Sequence, residues 1–344
     1  MSTIASPVVV GMGMACPLGL TSRAAVAALE AGISAISLSE FVRDEMGRDA
    51  SYAGTSSLAP DLPRTQRVTS LVGSALRECL ECCGELGGGR VACYLAIPEP
   101  GLGPPLDLRA LATKLREVAD FQVQPLGLEL SKVFAHGRAG IFSALAEASH
   151  ALSSGREQIV IIGGADSLVD HQTLRQLAAD NRLLGRGNPG GLVPAEGAGF
   201  LILAQAKVFP ASMRQAWVVG CENAVEDKPI EGSEASAADG LTSVFHRLRG
   251  GFSERIDEIF SAETGELFYG REFSYAYLRN AALMPEPLRV SGLGTTLGDA
   301  GAGAGAIALV RAISSLRPRR GPQNRSALAY GSSDGGFVGG CIVV

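Results

Sequence analysis

What most constrains this chain is a set of short, wholly apolar runs, among them VVV at Val8–Val10, VACYLAI, IVIIGGA and GAGFLILA, separated by stretches whose apolar residues recur at helical period. A strand that is apolar at every position has to be covered on both faces, and the covers here are helices. The pattern therefore predicts an α/β protein with central, doubly covered sheets. The first strand, Val8 to Gly11, leads through a Gly/Pro turn into a helix capped near Thr21 or Ser22 and ended by Gly32. RVTSLVGSALRECLECCGELGG and PLDLRALATKLREVADF predict amphipathic helices, with a strand between them that Pro98 ends. A helix from about Gly140 to Leu152 precedes QIVIIGGAD, and Asp170 to Pro194 reads as a long loop before the next strand.

The second half starts again. SMRQAWVVGCENAVED resembles the first strand and its turn, SEASAADGLTSVFHRLRGG predicts a helix, and ERIDEIFSAETGE a strand and turn. GDAGAGAGAIALVRAIS predicts another helix, and SALAYGSSDGGFVGGCIVV two closing strands. The halves, 1–205 and 206–344, read as related units sharing one core, because each presents a strand layer that needs covering.

Composition excludes several classes. With 46% hydrophobic and 19% charged residues the chain is globular, and its longest apolar runs fall short of the ~20 residues a membrane helix needs. A net charge of −5 argues against a nucleic-acid partner; the one basic cluster, Arg317, Arg319 and Arg320, reads as a solvated loop. Seven irregularly spaced cysteines do not make a disulfide framework, and the first residues lack a secretory signal. The expected location is the cytoplasm, with a chain beginning at or near Met1.

Motifs that invite a cofactor or metal do not meet their own requirements. GMGMACPLG, Gly11 to Gly19, has Cys16 and Pro17 where a dinucleotide fingerprint needs its third glycine. Cys79, Cys82 and Cys83 fall on a predicted helix, with Cys93 nearby and His150, His171 and His246 far off, so core or interface packing is expected and no metal site. GLGTTLGDAGAGAGA, Gly292 to Ala306, carries no Lys or Arg to hold a phosphate; its small residues suit a helix packed closely on another backbone. No cofactor is expected.

VFAHGRAGIFSALAEASHAL, Val133 to Leu152, has the pattern of a nucleophile turn opening a helix. An imidazole at His136 can act as a general base or proton relay, or orient a substrate or the local structure. Only Ser131 and Ser143 lie in its vicinity, so no nucleophile–base pair is visible.

Together these segments resemble the β-ketoacyl synthases, the condensing enzymes of the thiolase superfamily. VVVGMGMACPLGLTSRAAVAALEAGISAI is similar to the family's N-terminal strand, Pro-Leu-Gly turn and helix; GGADSLVDHQTLRQLAADNRLL and PAEGAGFLIL, with Pro194, Glu196, Gly197 and Ala198, resemble its Gly-Gly and Pro-x-Glu-Gly-Ala blocks. LGTTLGDAGA and SSDGGFVGG resemble its Thr-Gly-His block and closing glycine loop. The resemblance implies a thiolase-like fold of two related halves in one layered α-β-α-β-α core. It also implies a Cys–His–His catalytic set, which this chain lacks: Gly137 stands at the nucleophile position, Ala262 and Thr295 at the histidines, and Val290 at the lysine. The stretches between Gly220 and Pro287 and around Leu95 to Phe134 are short for the family.

The expected function is therefore that of a catalytically inactive ketosynthase-like protein acting by protein or acyl-group binding, in an accessory, chain-length-factor-like or adaptor role. Expected partners are a second copy, a ketosynthase-like protein, an acyl carrier protein, or a secretion-system effector by analogy with accessory thiolase-like proteins. The alternative is an acyltransferase with a rebuilt centre, in which His136 and the residues Arg138, Glu263, Glu266, Thr295 and Thr296 converge on the old pocket. The state of that pocket separates the two: open with an aligned acid–base pair, or filled by side chains.

Overall fold

A computed structural model describes residues 6–344 except 45, 84–85, 87–88, 123–125, 231, 233 and 318–324. Arg319, Arg320 and Met1 lie outside the described residues. In chain order the N-terminal part comprises β1 (Val8–Ala15), α1 (Ser22–Glu30), β2 (Ser37–Arg43), β3 (Asp49–Tyr52), α2 (Arg64–Glu81), β4 (Arg90–Ala96), α3 (Leu108–Asp120), β5 (Gly127–Phe134), α4 (Gly140–Ser153), β6 (Ile159–Ser167), α5 (His171–Ala179) and β7 (Glu196–Ala204). The rest comprises β8 (Ala216–Val225), α6 (Asp239–Gly251), β9 (Glu258–Ser261), α7 (Leu267–Arg279), β10 (Val290–Gly292), α8 (Ala302–Ser315), β11 (Ala327–Ser332) and β12 (Phe337–Val343).

Ten strands join in the order β10-β9-β11-β12-β8-β1-β7-β6-β4-β5. At the seam, β1 and β8 meet over only two residue pairs, Val8 with Trp217 and Val9 with Ala216. Outward from the seam each side repeats one pattern, two antiparallel pairings followed by two parallel ones.

The period of two along each strand sorts side chains to opposite covers. Val160 and Ile162 of β6 and Leu201 and Leu203 of β7 face the middle, joining Ile141, Phe142 and Leu145 of α4 and Ala304, Ile307 and Val310 of α8. Their neighbours Ile161, Phe200 and Ile202 turn outward to α2 and α3, where Leu71, Leu76, Leu111 and Leu115 cover them. On the other side Leu328, Tyr330 and Ile342 turn out to Leu241, Val244 and Phe245 of α6 and Ala276 of α7. The layers thus run α2/α3, strands, α4/α8, strands, α6/α7. Helix α8 is the most enclosed of the helices, with every residue but Arg311 buried. Its small residues permit this: a Cβ on Gly303 would sit 2.3 Å from the Gly197 carbonyl oxygen, and one on Gly305 2.2 Å from that of Arg138.

Several elements differ from the sequence reading. Strand β1 runs on to Ala15, past the glycines that read as a turn, because Gly13 is where α2 crosses the sheet: a Cβ there would lie 2.0 Å from the Ala75 carbonyl oxygen. The expected loop from Asp170 to Pro194 contains α5, whose N-cap Asp170 accepts from the N–H groups of Gln172 and Thr173. That helix buries only Thr173 and Leu177, too narrow a face to give a periodic signal. Helix α7 has no clear stripe either, since Tyr269 and Ala276 are buried while Leu267, Tyr275 and Leu278 are exposed. Cys79 and Cys83 are buried between α2 and the sheet, and Cys82 is exposed.

Candidate functional site

Strand β5 ends at Phe134, and the chain turns through Gly137–Ala139 into α4. Gly137 makes the turn with φ of +52°, a conformation costly for any residue with a Cβ. A Cβ there would point at Glu99 and Ser333, 3.0 Å from the Glu99 Oε2 and 3.1 Å from the Ser333 Oγ. Ser333 pins the turn from both sides, accepting from the Ala139 N–H at 2.9 Å and donating to the His136 carbonyl at 2.6 Å.

The residue after Gly137 dominates the site. Arg138 is 4% exposed, and its guanidinium spans both turns that open the central helices. Nε and Nη2 donate to the two oxygens of Asp299 at 3.0 and 2.6 Å, just before α8. Nη1 donates to Asp334 at 2.8 Å and to the Tyr269 hydroxyl at 3.2 Å. The Tyr269 hydroxyl in turn donates to Asp334. Arg182, from the segment after α5, closes the cluster with a forked pair onto Glu266 at 3.0 and 2.8 Å and two bonds to Asp334 at 2.7 and 3.4 Å. Burial pushes Asp334 up, but the guanidiniums of Arg138 and Arg182 win and hold its carboxyl well below the usual range. Burial also opposes charge on Arg138, yet Asp299 and Asp334 keep it firmly protonated.

Alongside this cluster Arg64 donates to Asp166 at 3.1 and 2.8 Å, and Asp166 accepts from the Ala302 N–H at the start of α8. A cavity of about 40 Å³ remains between the two ion-pair groups, lined by Arg64, Glu99, Gly137, Arg138, Asp166 and Asp299 among others. It has room for little beyond water.

The four positions assigned to catalysis differ in exposure. Gly137 and Ala262 are buried, the latter among core residues at the end of β9, whereas Thr295 is exposed and Val290 is 39% exposed on the edge strand β10. His136 turns away from the cavity: its ring stacks on Phe337 at 3.8 Å and 10°, and Nδ1 lies 3.0 Å from the Ser143 Oγ. Burial lowers its pKa, so the ring is held neutral. Of the other converging candidates, Arg138 and Glu266 meet through Asp334 and Arg182. Glu263 bonds the Tyr330 hydroxyl, with burial pushing its carboxyl up to about 7. Thr296 holds the segment Ser34–Ala35 through its carbonyl oxygen.

Sequence reasoning passed over Asp299, Asp334, Arg182, Arg64 and Asp166. Four members of the clusters carried a signal: Arg138, Asp166, Asp299 and Asp334 are each the one Asp, Glu, Lys or Arg in windows 133–146, 158–169, 290–310 and 326–344. A lone charge in an apolar or small-residue window is buried with its element and has to be paired.

No sequence-family model matches the chain, and no curated protein matches it by sequence. Solved structures do match in fold. A type II polyketide synthase acyl-carrier protein in complex with its ketosynthase bound to the hexaketide aligns at a TM-score of 0.79 and 15% identity, over 98% of both chains. The ishigamide ketosynthase/chain length factor aligns at 0.75 and 18%, again over 98% of both chains. The ketosynthase from module 6 of the bacillaene synthase of Bacillus subtilis 168 aligns at 0.76 and 14%, over 98% of this chain and 71% of that one.

Proposed function

With a ketosynthase-like, thiolase-type fold established as the premise, we propose that this protein is a ketosynthase-like binding protein whose condensing centre is closed. It consists of two related halves, 1–205 and 206–344, and acts in the cytoplasm through protein or acyl-group contacts in an accessory, chain-length-factor-like or adaptor role. One observation carries this reading. The guanidinium of Arg138, bonded to Asp299 and Asp334, fills the space at the nucleophile turn, where Gly137 offers no nucleophile. A substrate thioester would have to displace a buried cation from two carboxylates, and breaking such a pair costs about 3–5 kcal/mol before any chemistry begins. The similarity to a ketosynthase/chain length factor structure and to a ketosynthase solved with its acyl-carrier protein supports partners of those kinds, or a second copy of this chain.

The alternative, a rebuilt acyl-transfer centre that uses His136, meets the stacking of that ring on Phe337, away from the cavity. The test is direct. Purified protein is incubated with malonyl and acyl carrier-protein thioesters, and neither condensation nor malonyl decarboxylation is expected. Decarboxylation that disappears in His136→Ala would overturn the reading. In parallel, a tagged copy expressed in the native host is expected to retain a ketosynthase-like protein, an acyl carrier protein or itself; recovery of monomer alone counts against a binding role.

A further inference from the structure

A second cavity, of about 280 Å³, lies away from the sealed turn, between the β2–β3 hairpin, the segment after it and helix α5. Its walls are apolar: Val42 and Tyr52 from the hairpin, Leu58 and Pro60 from the segment before α2, Val169 and Leu174 from around α5. That size sits at the lower edge of the ~300–1,000 Å³ range of small-molecule pockets, and apolar walls with few polar groups are their usual lining.

The buried polar groups are Thr55 and Arg67, with Ser56 and His171 exposed at the margin. Arg67 is 3% exposed, and its Nε and Nη2 donate to the two oxygens of the fully buried Glu196 at 2.7 and 2.8 Å, which cancels its charge. Nη1 donates to the Ala59 carbonyl at 2.8 Å, so three of the five guanidinium N–H groups are engaged among the described residues. Thr55 is 5% exposed and gives its backbone N–H to Glu196, but its hydroxyl has no hydrogen-bond partner. Buried hydroxyls are nearly always bonded, and an unbonded one in a cavity wall is left able to donate to, or accept from, a bound molecule.

From this we infer that the cavity is a binding site for a small, mainly apolar molecule carrying a neutral carbonyl oxygen, a ketone, ester or amide, which accepts from the Thr55 hydroxyl. Two features favour this class. The Arg67 N–H groups left over can only donate and the Thr55 hydroxyl is able to, so a ligand acceptor suits both; and the Arg67–Glu196 pair is already neutral, so an anion would enter without a counter-charge. The site lies outside the ion-pair cluster at Arg138 and stands or falls independently of the proposed function.

Ligand-observed saturation-transfer NMR and calorimetric titration on the full chain test it, with 2-heptanone as the probe and heptanoate as its charged counterpart. The ketone is expected to bind saturably, and at least tenfold more tightly than the carboxylate. Thr55→Val, which keeps the shape and removes the hydroxyl, weakens ketone binding about tenfold. Leu174→Trp fills the space and abolishes it, with the far-UV circular dichroism spectrum of each variant reporting an intact fold. Absence of saturable ketone binding overturns the inference, as does equal binding by folded Thr55→Val, or tighter binding of heptanoate.

Discussion

The two central helices begin in one charged cluster, yet their first turns are furnished in opposite ways. At α8 the positive end of the helix dipole meets carboxylates: Asp299 accepts from the Gly301 N–H at 2.9 Å, and Asp166 from the Ala302 N–H at 3.2 Å. At α4 the Ala139 N–H is met by the hydroxyl of Ser333, and the only charged side chain on the turn is a cation, Arg138. Both turns pass through a glycine of nearly equal φ, +52° at Gly137 and +51° at Gly301. The field at a helix N-terminus is what would acidify a thiol placed there. Here the α4 terminus carries a guanidinium that leans across to Asp299 and Asp334, whose charges offset the repulsion between that cation and the positive end of the α4 dipole.

The sharpest way to break this comparison is to strip one side. Asp299→Ala leaves Arg138 buried against a single carboxylate and is expected to cost about 3–5 kcal/mol, read from the urea midpoint. Arg138→Met combined with Asp299→Leu should cost clearly less than the two single changes added together, because neither charge is then stranded. Additivity would mean that the two turns do not support each other. The glycines come next. Gly301→Ala places a Cβ 2.0 Å from the Asp166 Oδ2 and should lose about 3 kcal/mol or more, whereas Gly137→Ala, with contacts no closer than 3.0 Å, should lose about 1–2 kcal/mol from its backbone alone. Equal losses would remove the asymmetry.

A pH series separates the cluster from the buried acids behind it. Asp334 ionises below its unfolded value, so its contribution is present above the usual carboxylate range and is lost as pH falls through that range and below. Burial raises Glu263 and Glu272 to about 7 each, so the folded state holds their protons longer, and stability declines between about pH 4.5 and 7. That decline is on the order of 2–3 kcal/mol for each carboxyl and should roughly halve in Glu263→Gln, measured by urea unfolding at pH 5 and pH 8. The smallest effect is expected at His136. Removing its stack on Phe337 and its bond to Ser143 with His136→Ala costs about 1 kcal/mol, seen as a small drop in Tm.

The layered fold was legible because its strands are apolar on both faces, and the periodic helices α2, α3, α4 and α8 stood out between them. Elements that bury little, the β2–β3 hairpin and α5, left no pattern to read. The turn into α4 was legible from the spacing of Gly137 and Gly140, but what fills it was not: Arg138 bonds to residues 161 and 196 positions away, and nothing local in the sequence fixes such a pairing. Gly11 and Gly13 illustrate the converse, since a glycine that admits a crossing helix is indistinguishable in sequence from one that makes a turn.

The burial of α8 sets an order of events on the ribosome. Apart from β11, the strands that α8 covers are made before it, and Ser315 follows Ser153, the end of α4, by a stretch that takes roughly 10–30 s to synthesise at common rates. Throughout that interval Met12, Met14, Val160, Ile162, Leu201 and Leu203 lack part of their cover, and the nascent chain displays an apolar sheet face. With its innermost helix the last helix to be made, the chain depends on its final segments for cover, and a nonsense truncation before Ala302 is expected to leave an aggregating fragment in place of a smaller folded one.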